Sequence, residues 1–438
     1  SKGLKGIFDI RRKELSFSLL MFGYFFLVIT TFWVMKPIKK SLFIGHYNQT
    51  GLDLGSWHLI ASQAELIAKV ANMLVAIIAV MVFSWLAKSF RREQLTYTFS
   101  VFFMACFILY SYLVSHPADA TVWTFYLFGD LWATLMVATF FAFLNDSVTP
   151  ERAKRLYGLI GLGGVMGGAF GSTVVRVWIK RMPMDGWMWV TLCLGGVIVI
   201  LAMFAGKWVR RNPPEIVPAP VKEPEVRKGP NPAIAGAKLV FASRYLLAIV
   251  GIVGLYEIVS TVMDFQFTAT IEHFVAKDDL GQHFSTIFMI TNIVAMFVQL
   301  FLTSYIMTRF GLKTALFILP AVILFASVGY MALPILWIGS LLNTADNGFS
   351  YSINQSAKEA LYVPTTREEK YKAKAFIDMF VQRFAKALAV GVSLAITTIF
   401  TDFSTVRWLS VFILIVVVVW FFAARYAGKK FDEISKKQ

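Results

Sequence analysis

The chain has 438 residues, of which 57% are hydrophobic and only 16% charged, with 42 Lys and Arg against 26 Asp and Glu for a net charge of +16. Soluble domains run near ~45–50% apolar and ~25% charged, so a water-soluble enzyme and a disordered chain are both excluded. The basic excess does not call for nucleic acid: the inner loops of membrane proteins collect Lys and Arg, and an all-α polytopic membrane protein accounts for composition and charge together.

A bilayer core of about 30 Å takes about 20 apolar residues per helix, which predicts about twelve spans. They run over 15–44, 57–86, 95–114, 121–146, 156–179, 186–209, 239–271, 284–309, 313–331, 334–362, 373–400 and 404–427. The lead-in SKGLKGIFDIRRKEL is basic and has no cleavage site, so it is expected to stay on the cytoplasmic side. With that start, Lys88, Arg91 and Arg92, then Arg152, Lys154 and Arg155, then Arg309 and Lys313, then Arg367, Lys370, Lys372 and Lys374 all fall inside. The alternate loops HYNQTGLDLGS and SHPADA carry no Lys or Arg. Lys180, Arg181, Lys277 and Arg407 are the exceptions. The bias predicts both termini on the cytoplasmic face.

After the sixth span comes RRNPPEIVPAPVKEPEVRKGPNP, too rich in Pro and charge for a helix or a core. It divides the chain into an N-terminal six-helix bundle at 1–209, a flexible linker at 210–238 and a C-terminal six-helix bundle at 239–438. VTPERAKRLYGLIG after span four and VPTTREEKYKAKAFID after span ten echo one another weakly, as a duplication would. Two six-helix halves resemble the major facilitator layout. RFGLKTAL is similar to that superfamily's short basic loop, whereas WLAKSFRREQL lacks the Gly and Asp usual at the matching place.

Charges inside a membrane are costly, so they are functional candidates. Lys36, Lys39 and Lys40 share one patch of span one. Three ammonium groups there need an anion or carboxylates nearby, or else they snorkel to the interface. Span two carries Ser62, Glu65, Lys69 and Asn72 on one face, with Glu65 and Lys69 spaced as an internal pair. Span four carries Asp130, and span seven carries Glu257, Ser260, Thr261 and Asp264 on one face. Span ten carries Asn343, Asp346, Asn347, Ser350, Tyr351, Asn354 and Lys358 at steps of three or four. Such a stripe lines a wet cavity or packs as a polar seam. Span eleven adds Asp378, Gln382 and Lys386, with Arg383 beside them. The cations suit an anionic substrate, phosphate above all; the carboxylates balance them or carry protons.

Other signals are weaker. YGLIGLGGVMGGAFGS follows a helix and contains no phosphate-loop pattern, so Gly163, Gly167 and Gly171 read as close helix packing. Asn48-Gln49-Thr50 matches a glycosylation sequon. The two cysteines, Cys106 and Cys193, lie in apolar runs, and neither a metal-ligand spacing nor a nucleophile–base pair stands out. No enzyme activity, cofactor or metal is expected.

SINQSAKEALYVPTTREEKYKAKAFIDMFVQRFAKA, at spans ten and eleven, resembles the ATP:ADP antiporter family of plastids and obligate intracellular bacteria, with its Lys-Glu-x-x-Tyr-x-Pro stretch, basic loop and Lys-x-x-Ile-Asp. FYLFGDLW with AKRLYGLIGLGG, VMKPIKKSLF and, more loosely, YEIVSTVMDFQFT are similar to that family's spans four and five, one and seven. The resemblance implies nucleotide exchange and places the family's two key lysines on Lys39 and Lys358 and its two key glutamates on Asp130 and Asp264. Both acids are one methylene shorter than Glu, Thr268 stands where the family usually has Lys, and Pro37 where it has an acid. The expected protein is an alternating-access transporter of a nucleotide or related phosphorylated anion, working as a monomer, with Lys36, Asn347, Tyr351, Asn354 and Arg383 completing the site. A proton-coupled carrier of another organic anion and a non-transporting membrane scaffold are the alternatives.

Overall fold

The computed structural model describes residues 15–148, 150–212, 232–366, 369 and 373–435. The N-terminal lead-in, most of the 210–238 linker and the basic-loop residues Arg367, Lys370 and Lys372 lie outside them. The described chain is helical apart from one hairpin. In order it runs α1 (Leu15–Tyr47), β1 (Leu52–Leu54), β2 (Trp57–Leu59), α2 (Ala61–Ser89), α3 (Arg92–Leu113), α4 (Asp119–Ser147), α5 (Pro150–Trp178), α6 (Met184–Arg211) and α7 (Pro232–Ala242). Then follow α8 (Arg244–Phe274), α9 (Leu280–Phe297), α10 (Ser304–Arg309), α11 (Gly311–Ala332), α12 (Leu336–Phe349), α13 (Gln355–Ala360), α14 (Lys374–Phe376), α15 (Gln382–Ile399) and α16 (Leu409–Ser435).

Ten of the expected spans are helices long and apolar enough to cross a membrane. The other two, 334–362 and 373–400, are helical but broken by π turns at Ser350–Asn354 and Ile377–Val381. A π turn adds a residue to the helical ladder and re-aims the side chains beyond it.

Span two starts later than the hydropathy pattern predicts. Residues 57–59 form the second strand of the hairpin, with Asp53 opposite His58. Gly51 (φ 64°) and Gly55 (φ 63°) supply the left-handed backbone the turns need. The helix begins at Ala61 because its first amides are satisfied from outside: Glu272 of α8 accepts from Ala61 N and Ser62 N, both at 2.9 Å, and Gln63 Oε1 accepts from Ile60 N at 3.1 Å.

The chain folds as two compact units. The first takes the described residues of Ser1–His46, Ala71–Glu225 and Phe284–Met289; the second takes those of Tyr47–Val70, Val226–His283 and Ile290–Gln438. The division falls inside α2, after Val70. Between helices in lipid, close packing rather than transfer from water drives association. Unit 1 achieves it with aromatic rings and glycines. Trp132 is fully buried beside Phe103 (5.0 Å) and Phe107 (5.5 Å), and its indole N–H donates to Val28 O at 3.2 Å. A Cβ on Gly167 would stand 2.5 Å from Phe26 O, so α5 touches the backbone of α1 as the glycine spacing predicts.

Unit 2 packs α8 against α12, α15 and α16 around an apolar core that includes Ile249, Val253, Leu319 and Trp420. Some of its buried polar groups pair across elements. Gln266 Nε2 donates to Val406 O and Ser410 Oγ, each at 3.0 Å, and Thr270 and Tyr330 share a hydroxyl bond at 2.8 Å.

Candidate functional site

In unit 1, α1 carries the lysine patch. Lys39 has only 5% of its side chain exposed, and its ammonium meets Asp130 Oδ1 of α4 at 2.6 Å. Tyr126, one turn before Asp130, adds its carbonyl at 3.4 Å and its ring face at 4.6 Å. Asn72 of α2 donates to Asp130 Oδ2, so each carboxylate oxygen has its own donor. Gly129 makes the approach possible: a Cβ there would stand 2.7 Å from Lys39 Cδ. The lysine stem therefore crosses α4 through the space a side chain would fill.

Lys36 is half-buried among rings, 4.3 Å from Trp33, 5.0 Å from Phe288 and 5.8 Å from Phe32. Lys40 is buried and lies 5.6 Å from the Phe284 ring. Burial of Lys39 and Lys40 is not the geometry of snorkelling, which keeps the charged head in water.

In unit 2, Asp264 of α8 forms an ion pair with Lys69 of α2, the side chains being 26% and 14% exposed. Spacing places Lys69 one turn from Glu65 on its own helix; Asp264 is a partner on another helix. Thr268 bonds back to the Asp264 carbonyl at 2.8 Å. One helical turn before Asp264, Ser260 donates to Asp346 Oδ2 at 2.5 Å, and Asp346 is 1% exposed. Lys386 of α15 meets Glu257 of α8 at 3.0 Å.

The expected stripe on span ten is a graded set. Asn343, Asp346, Ser350 and Asn354 are buried, Asn347 and Lys358 half-buried, and Tyr351 exposed. Asn343 accepts from Thr291 at 3.1 Å, and the same hydroxyl meets Thr344 at 2.9 Å, so the upper stripe packs as a seam against α9. The π turn at Ser350–Asn354 interrupts the stripe, leaving Tyr351 exposed between the buried Ser350 and Asn354. Arg383 is half-buried on α15. Beyond α13, Lys374 pairs with Glu359 at 2.5 Å and lies 5.5 Å from the Tyr362 ring.

Of the residues expected from sequence, Lys39 and Asp130 meet directly. Asp264 is paired by Lys69, which was not expected at the site. Lys36 stands on α1, Asn347, Asn354 and Lys358 on span ten and Arg383 on α15, while Tyr351 on span ten lies within electrostatic reach of Asp264, Asp346, Glu257 and Lys386. Sequence reasoning also missed Asn72, Tyr126 and Gly129. The signal for Lys69 and Asn72 was present: both lie on the polar face of span two, three residues apart.

The model of the TLC ATP/ADP transporter family matches residues 1–124, 118–337 and 332–431. The chain belongs to this family. It is similar to ADP,ATP carrier protein 1 of Chlamydia pneumoniae, 22% identical over 97% of this chain and 93% of that one. The plastidic ATP/ADP-transporter of Solanum tuberosum is 24% identical over 84% of this chain and 67% of that one. ADP,ATP carrier protein 5 of Rickettsia typhi is 21% identical over 91% and 94%. Among solved structures, the nucleoside transporter NupG is similar with a TM-score of 0.65 at 11% identity, over 94% of this chain and 99% of that one. The inward-open xylose transporter XylE of E. coli has a TM-score of 0.59 at 12% identity, over 96% and 99%. The fold is that of the major facilitator transporters, and the protein is a multi-pass membrane protein of the ATP/ADP transporter family, not an enzyme.

Proposed function

We propose that this chain exchanges nucleotides, ATP against ADP or a close phosphorylated relative, by alternating access, with Lys39 as its principal phosphate-binding group. The observation that carries this reading is the Lys39–Asp130 pair: an ammonium removed from water, shielded by one carboxylate and one aromatic face. A lysine grips phosphate as a point charge. An entering phosphate competes with Asp130 for Lys39, while Asn72 keeps a donor on the displaced carboxylate. The empty and loaded carriers then differ in which anion holds Lys39. That difference is what a carrier needs if its substrate is to shift the balance of inward-open and outward-open states.

Lys36 adds positive potential from its aromatic surround. In unit 2 we assign Lys358 and Arg383 as the second set of cations, Asp264, which Lys69 holds, as a carboxylate of the site, and Asn347, Tyr351 and Asn354 as hydrogen-bonding groups. The halves at 1–209 and 239–438 move as the two bundles of the transport cycle, joined by 210–238. The working unit is a monomer, with both termini and the linker on the cytoplasmic face, because the Lys and Arg bias of the loops favours that orientation.

Reconstitution tests the function. Uptake of labelled ATP into proteoliposomes is expected to accelerate when unlabelled ADP is preloaded inside, and to respond little to an imposed pH gradient. A folded protein that ignores every nucleotide offered, or that is driven by the pH gradient alone, overturns the proposal. Labelling of single cysteines in intact cells tests the orientation: a reagent confined to the outside must reach position 118 and miss position 222.

A further inference from the structure

We propose that unit 2 carries a second binding site, for an organic ammonium cation, in a cavity of about 830 Å³ between the hairpin, the start of α2, the end of α8 and the turn after α15. Every residue that lines it belongs to unit 2.

The lining chemistry is the opposite of the phosphate site. The chain carries 42 Lys and Arg, yet none lines this cavity. Two carboxylates do, Glu272 and Asp402, together with the rings of Trp57, His273, Phe400 and Phe403. Such walls repel a nucleotide and attract a cation. Aromatic faces and carboxylates together are the recognition chemistry of ammonium groups.

Both carboxylates are fixed in place and keep acceptor capacity. Glu272 accepts the two amides at the start of α2, using about half of the four lone-pair positions a carboxylate offers. Asp402 caps the short helix Phe403–Trp408 and accepts from Ser404 Oγ at 2.8 Å and Ser404 N at 3.2 Å. The Ser404 hydroxyl and amide hold the Asp402 carboxyl below the usual carboxylate range, so it is charged at neutral pH. His273 stacks flat on Phe403 with ring centroids 4.0 Å apart, which builds a rigid aromatic wall next to Asp402. Trp57 stands on the rim of the hairpin, 64% exposed, its position fixed by the strand register and by the His58–Asp53 contact at 2.7 Å. Gln63 closes the floor by donating to Thr397 at 3.0 Å.

The occupant is a compact organic cation rather than a metal ion. Among the described residues no group of three or more His, Cys, Asp or Glu is placed to hold a metal. The Asn48 amide, whose Nδ2 is buried without a hydrogen-bond partner, lines the same cavity and offers a donor to a hydroxyl or carbonyl carried by the cation.

Purified full-length protein in nanodiscs is titrated with tetramethylammonium and with butylammonium, the first lacking N–H donors and the second having them. Neopentyl alcohol serves as the uncharged shape control. Thermal stability and tryptophan fluorescence are read in parallel, the latter against Trp57→Phe. Saturable stabilisation by at least one cation, absent with the alcohol, is expected. Asp402→Asn keeps a capping side chain and removes the charge, and is expected to weaken that binding about tenfold or more. Trp57→Ala is expected to weaken it too, and ATP binding is expected to survive in both variants. Three results overturn the proposal: equal binding of the neutral control, unchanged cation affinity in both variants, or competition between the cation and ATP. Because the readout is cation binding, the proposal stands or falls separately from nucleotide exchange.

Discussion

Unit 1 and unit 2 handle the same problem, polar groups within an apolar bundle, in different ways. Unit 1 concentrates them. Around Lys39 and Asp130 stand rings and glycines: Tyr126 on one side, Gly129 beneath, and the buried Trp132 less than one turn on. Unit 2 links more of them together: Lys69–Asp264, Ser260–Asp346 and Lys386–Glu257 join α2, α8, α15 and span ten, Tyr351 lies within electrostatic reach of Asp264, Asp346, Glu257 and Lys386, and the Thr291–Asn343–Thr344 seam adds α9. Lys39 is 5% exposed and Asp130 39%, so losing Asp130 strands a buried ammonium. A distributed set loses little at any one place, since neighbours and water take over. The comparison therefore predicts steep effects in unit 1 and shallow ones in unit 2.

The steepest is expected at Lys39. Lys39→Ala removes the phosphate's point charge and leaves Asp130 facing the incoming anion. ATP binding is expected to weaken by about 1.5–3 kcal/mol, roughly ten- to hundredfold. Calorimetric titration checks the affinity and counterflow the transport. Wild-type affinity would return Lys39 to a structural ion pair and remove the contrast between the units.

Gly167→Ala comes next, read as stability. Its Cβ would meet the Phe26 carbonyl at 2.5 Å, and a backbone atom cannot step aside as a flexible side chain can. Overpacking of this kind costs about 1–3 kcal/mol, and a clear loss of thermal stability is expected. Gly158→Ala is the control, since nothing lies within 4 Å of its Cβ.

Gly129→Ala separates positioning from packing. The atom its Cβ meets is Lys39 Cδ, the middle of a flexible chain. The fold is expected to hold, with Lys39 pushed from Asp130 and ATP affinity down about five- to tenfold, near 1 kcal/mol. Lower stability with unchanged affinity would make Gly129 a packing residue only.

These residues also mark what the sequence makes legible. Ten of the twelve expected spans were legible because hydropathy over about 20 residues is a property of the solvent, indifferent to tertiary detail. Lys39 and Asp130 were each singled out by resemblance to motifs on two separate helices, but their pairing was not. Gly129 was not: its role is the absence of an atom where another helix's side chain passes, and no periodicity within α4 reports that. The pairing of Lys69 with Asp264 was not legible, because spacing shows neighbours on one helix and is blind to a carboxylate on α8. The hairpin at 52–59 was hidden by apolar residues at Trp57 and Leu59 that fitted a helix pattern as well as a strand. The late start of α2 was hidden for a related reason, since its cap, Glu272, lies 211 residues from Ala61 in sequence.

The smallest effect belongs to the seam, and it probes the comparison most sharply. Thr291 is fully buried, and its hydroxyl meets Asn343 Oδ1 at 3.1 Å and Thr344 Oγ1 at 2.9 Å. Thr291→Val keeps the shape and removes both contacts. In water-soluble cores, stranding a polar partner costs about 1–3 kcal/mol. Within a membrane bundle the reference is different: the separated helices also find partners, and measured hydrogen bonds average about 0.6 kcal/mol. Thr344 retains a hydroxyl that can turn to Asn343 or to its own helix backbone. The expected result is a loss of about 0.6 kcal/mol in stability, with nucleotide affinity unchanged, measured by reversible unfolding in mixed micelles and by ATP titration. A loss as large as that of Gly167→Ala would show that unit 2 is as tightly coupled as unit 1. A loss of ATP affinity would bring the seam into the substrate path, because a distant packing contact has no means of distinguishing the loaded carrier from the empty one.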